Sequence, residues 1–68
     1  MLKEEVNAYL KRITKRKWPA IAKLEAHFFV IMLNFIEETN QKGENIDRVW
    51  LEKKIKEIDD REKNGGEM

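Results

Sequence analysis

The chain has 68 residues, with 14 Lys+Arg against 13 Asp+Glu, 41% hydrophobic residues, one His and no Cys. That length allows one small domain. The composition excludes disulfides and thiolate metal sites, a His-based zinc site, and a strongly basic or strongly acidic protein.

Twelve of the apolar residues are Ile or Leu, whereas Gly is 3 and Pro is 1. This is too apolar for disorder and too poor in turn residues for an all-β domain. The bias towards Lys, Glu, Leu and Ile favours helix. The sequence predicts an all-α domain over residues 1–64, with three helices at about 2–17, 19–41 and 47–63, and a frayed tail over 65–68.

The first helix carries Leu2, Val6, Tyr9, Leu10 and Ile13 at helical spacing, which makes one apolar stripe. Glu4 and Glu5 begin it and Lys15, Arg16 and Lys17 end it, so both ends complement the helix dipole. Trp18-Pro19 breaks the helix, because proline disfavours helical geometry before it and suits the first turn of a new helix.

The second helix is unusually apolar. Stepping 100° per residue, Lys23, His27, Asn34, Glu37, Glu38 and Gln41 fall in one strip that also holds Val30, and this strip is expected to face solvent. Leu24, Phe28, Ile31 and Phe35 form one apolar ridge. Ala22, Phe29, Leu33 and Ile36 form a second, with Met32 between. The apolar arc spans roughly 220°, about twice that of an ordinary surface helix. Two short amphipathic helices cover part of such an arc. The rest is covered by wrapping within the chain, by a symmetric copy, or by a foreign partner. Gly43 is the expected left-handed cap of this helix.

For the third helix, Asp47 is the expected N-cap and Ile46 with Leu51 a hydrophobic staple. Leu51, Ile55 and Ile58 share one face. Its charges predict the pairs Glu52–Lys56, Glu57–Arg61 and Asp59–Lys63, each four residues apart.

The charges also divide along the chain. Residues 1–27 hold seven bases and three acids, and residues 28–68 seven bases and ten acids. Lys11, Arg12, Lys15, Arg16 and Lys17 cluster before Trp18. Such a cluster can meet phosphates, with Trp18 as a stacking face. It can equally serve the helix dipole or pair with the acidic half.

Signals for catalysis are missing. Ser and Cys are absent, no glycine-rich phosphate loop is present, and the adjacent carboxylates Glu37-Glu38 and Asp59-Asp60 point about 100° apart on a helix. No cofactor and no metal site is expected. The N-terminus lacks the basic region of a secretory signal, and the longest apolar run, Phe28 to Leu33, is far short of a membrane span. A cytoplasmic protein is the expectation, with a membrane role disfavoured.

The sequence therefore points to a small non-enzymatic protein–protein interaction module: an adaptor, inhibitor or regulatory subunit. It is expected to self-associate through its central helix into a helical-bundle oligomer, a dimer first, and to bind a further protein whose identity is not encoded. Phe28, Phe29, Met32, Leu33, Phe35 and Ile36 are the expected interface, with Phe29, Leu33 and Ile36 its centre. The alternative is a nucleic-acid-binding regulator that uses Lys11, Arg12, Lys15, Arg16, Lys17 and Trp18.

Overall fold

Helix capping sets the three elements. A computed structural model describes residues 1–40 and 45–65, and its order is α1 (Lys3–Lys15), α2 (Ala20–Thr39) and α3 (Arg48–Gly65). No strand occurs among the described residues.

At the start of α1, the Glu5 carboxylate accepts the Leu2 backbone N–H at 3.2 Å, which satisfies a donor that the helix leaves free. The backbone turns extended at Arg16, two residues before the Trp18-Pro19 pair, and Pro19 is the residue that caps α2. The end of α2 differs from expectation. Asn40 takes the left-handed conformation (φ 54°, ψ 47°) and its N–H returns to the Glu37 and Ile36 carbonyls. Asn tolerates that region better than other residues with a Cβ, so α2 stops there. Gln41 and Gly43 lie outside the described residues. At α3, Asp47 is the N-cap: its Oδ1 accepts the Trp50 N–H at 2.9 Å and its carbonyl accepts the Leu51 N–H at 3.0 Å. The helix runs through Gly65, two residues beyond the expected end, and residues 66–68 lie outside the described set.

α1 and α3 both pack on α2, which makes α2 the central element. The core consists of Ile13 from α1, Trp18 from the connection, Ala22, Ala26, Val30 and Leu33 from α2, and Leu51, Ile55 and Ile58 from α3. The expected α3 face is thus buried as a unit. Ala22 and Ala26 are one helical turn apart, and their small side chains let neighbouring helices come close. Val6, Tyr9, Leu10, Phe29, Ile46 and Trp50 close the margins. Phe29 meets Trp50 edge to face, with ring centroids 5.5 Å apart.

The covered face of α2 is not the one expected. Val30, which the helical wheel placed in the solvent strip, is fully buried, and so is Leu33, which was assigned to an interface between copies. Polar residues on the flanks of the core account for the rotation. The Lys23 ammonium donates to the Thr14 carbonyl at 3.0 Å, so it ties α2 to the end of α1. Glu37 receives the N-terminal ammonium at 3.4 Å and the Arg48 guanidinium at 3.7 Å. The strip residues Lys23 and Glu37 are latches to the neighbouring helices rather than a solvated face. Asn34 is also half-buried; its Oδ1 is enclosed and has no hydrogen-bond partner among the described residues. His27 and Glu38 remain exposed.

Candidate functional site

The site lies on the side of α2 opposite the core. Ile21, Leu24, Phe28, Ile31 and Phe35 are 74, 65, 59, 49 and 61% exposed. Their spacing alternates three and four, which is the seam pattern of a helix that packs lengthwise on another helix. Counted at 100° per residue, this stripe and the buried set Ala22, Ala26, Val30 and Leu33 lie on opposite faces. Two of the helix's three phenylalanines face outwards, whereas Ala22, Ala26, Val30 and Leu33 face the core and Phe29 packs at its margin.

The six expected interface residues therefore divide. Phe28 and Phe35 lie on the outer stripe. Met32 and Ile36 are half-buried on its flank. Leu33 and Phe29 belong to the core and its margin. The expected centre is corrected at Leu33, which is buried within the core of the same chain, and at Phe29, which packs on the margin of that core; Ile36 is half-buried. Ile21, Leu24 and Ile31, exposed in line with Phe28 and Phe35, are absent from the expected set. Their signal was the unbroken three-four spacing from position 21 to 35, which the breadth of the apolar arc concealed.

The rims of the stripe are charged. On one side Arg61 of α3 grips Glu25 with two hydrogen bonds, 2.6 and 3.2 Å long. That grip holds the Glu25 carboxyl below the usual carboxylate range. Ile21, Leu24, Glu25 and Phe28 together line a shallow open shelf. Beyond Phe35, the next seam position is Glu38, which is exposed.

Of the readings of the basic cluster, pairing with carboxylates within the chain holds for its two arginines. Arg12 makes a two-pronged pair with Glu52 of α3, at 2.9 and 3.0 Å. Arg16 reaches Asp59 at 3.1 Å and lies over the Trp18 ring, 5.2 Å from its centroid. Trp18 is buried, and its Nε1 donates to Asp59 Oδ1 at 3.1 Å. As a stacking platform Trp18 is thus corrected: its ring belongs to the core and its one donor is used. Carboxylates of α3 receive the two arginines within the chain, and Lys11, Lys15 and Lys17 stay exposed.

The same pairs replace the expected local ones on α3. Glu52 turns to Arg12, Asp59 to Arg16 and Arg61 to Glu25, so Glu52–Lys56, Glu57–Arg61 and Asp59–Lys63 do not form among the described residues. Lys54–Glu57, three residues apart, is a local pair that does form, at 3.7 Å. Guanidinium hydrogen bonds lower the Glu52 and Glu5 carboxyls as well as Glu25. A carboxyl held ionised is unsuited to donating a proton near neutral pH. No cluster of three or more metal-ligating side chains occurs among the described residues, and none of their helices is long and apolar enough to cross a membrane.

Comparison of the chain with protein-family models, with curated proteins and with solved structures found no match.

Proposed function

We propose that this chain is a small non-enzymatic protein–protein interaction module that docks through the outer face of α2. The carrying observation is the stripe of five large apolar side chains left open on a helix whose other face is already filled. Contiguous apolar patches of this kind mark binding surfaces in stable proteins. The ion pairs between the helices support the same reading, because they hold the scaffold that presents the stripe. An adaptor, an inhibitor and a regulatory subunit would all use such a face.

In the nucleic-acid reading, Lys11, Lys15 and Lys17 are the exposed cations of the cluster that make no ion pair among the described residues. Retention of a labelled DNA or RNA oligonucleotide at low salt, lost steeply as salt rises, would restore it.

A photo-crosslinking phenylalanine analogue at position 28, introduced in cells, tests the docking reading. The expected result is a discrete adduct that disappears when Leu24→Asp is added. No adduct, or an adduct indifferent to Leu24→Asp, would overturn it.

A further inference from the structure

Resting on the docking reading, we infer that the occupant of the outer face is a second copy of the chain, packed antiparallel with the two-fold axis beside Phe28. Three features of the stripe carry this.

The first is self-complementarity. The stripe is centred on Phe28, with Ile21 and Phe35 seven residues to either side. An antiparallel copy sets Phe28 against Phe28, Leu24 against Ile31 and Ile21 against Phe35. Every layer is apolar, and the same surface serves both copies, as a two-fold interface demands.

The second is area. An aromatic side chain carries about 150–250 Å² and a branched aliphatic one rather less, so five that are half to three-quarters exposed offer at most roughly 600 Å² per copy. Two copies then bury at most roughly 1,200 Å², the lower bound of a standard stable interface. The Cα envelope is only 16 Å in its thinnest direction, against 41 and 23 Å in the others. Stacking two such slabs through α2 encloses the stripe and leaves both pairs of α1 and α3 outside.

The third is charge, and it sets the direction. Glu38 extends the seam beyond Phe35. In the antiparallel register the exposed Glu38, ten residues past the axis, reaches the N-terminal end of the partner's α2, where a carboxylate complements the helix dipole. A parallel register would bring Glu38 against Glu38, a like-charge contact that disfavours it.

Because the chain has no cysteine, a single introduced cysteine carries a unique spin label. Ala20→Cys and His27→Cys both lie at exposed positions beside the stripe. In the antiparallel pair, labels at position 20 stand eight residues either side of the axis, about 24 Å apart along the helices at 1.5 Å per residue. Labels at position 27 stand close together across it. Pulsed dipolar spectroscopy at high micromolar concentration should therefore give a long distance for Ala20→Cys, a short one for His27→Cys, and neither when Phe28→Asp is added. Short distances at both positions would overturn the antiparallel arrangement. No dipolar coupling at either position would overturn the second copy as occupant. In that case a surviving Leu24-dependent crosslink from position 28 to a different protein leaves the docking reading standing, and absence of any crosslink removes both.

Discussion

The two faces of α2 differ in size rather than in hydrophobicity. The inner face uses Ala22, Ala26, Val30 and Leu33, and all four are buried. The outer face uses Ile21, Leu24, Phe28, Ile31 and Phe35, and all five are exposed. Small side chains let two helices close on α2 in a chain of 68 residues. Large ones on the same side would hold α1 and α3 apart and open the core. The contrast teaches that in a helix apolar on nearly all sides, residue volume and flanking charges decide which side its own chain covers.

The comparison breaks most readily on the inner face. Leu33→Ala is expected to cost about 2–5 kcal/mol, the range for a fully buried leucine, and to unfold a large fraction of the chain. Phe28→Ala should change the stability of the isolated subunit by within about 0.5 kcal/mol, as surface substitutions do. Denaturant unfolding followed by circular dichroism, at a dilution where association does not contribute, measures both. Equal losses would erase the distinction between the faces. A gentler probe is size in the other direction. Ala26→Leu should cost about 1–3 kcal/mol by overpacking, while Ala20→Leu, on an exposed position, should cost nothing measurable in the same assay.

Much of this was legible from sequence where the determinants are local. The Asp47 cap and the Leu51, Ile55 and Ile58 face are set within a turn or two of α3. The face of α2 is not local. Thr14 fixes Lys23 across nine positions, and Arg61 fixes Glu25 across thirty-six. The wheel gave the angular positions of Val30 and Leu33 but not the neighbours that land on them. The same limit misdirected the charges of α3. Each expected pair lay four residues apart, yet the planar guanidinium of Arg12 meets both oxygens of Glu52 forty residues away, a two-pronged geometry that lysine cannot offer.

The cross-chain ties sharpen the picture with smaller effects. Trp18→Phe removes the hydrogen bond to Asp59 and part of the buried ring, so thermal unfolding should show a loss of about 1–3 kcal/mol. A double-mutant cycle on Arg12→Ala and Glu52→Ala should give a coupling of about 0.2–1 kcal/mol, because both side chains are nearly half exposed and the pair is screened by salt. That coupling has a pH window. The Glu52 carboxyl is lowered in the folded chain from its ordinary value of 4.5 by hydrogen bonds from Arg12. The contribution is therefore complete above pH 4.5 and fades as pH falls through the lowered value. A coupling that persists once Glu52 is protonated would show that the pair acts by packing instead of charge.

Sedimentation equilibrium of the native chain beside Phe28→Asp tests the two-faced helix most directly. The prediction is a native dimer and a Phe28→Asp monomer that keeps the helical circular dichroism of the native chain. A native chain that stays monomeric at high micromolar concentration, or a Phe28→Asp variant that loses its helices, would contradict the account.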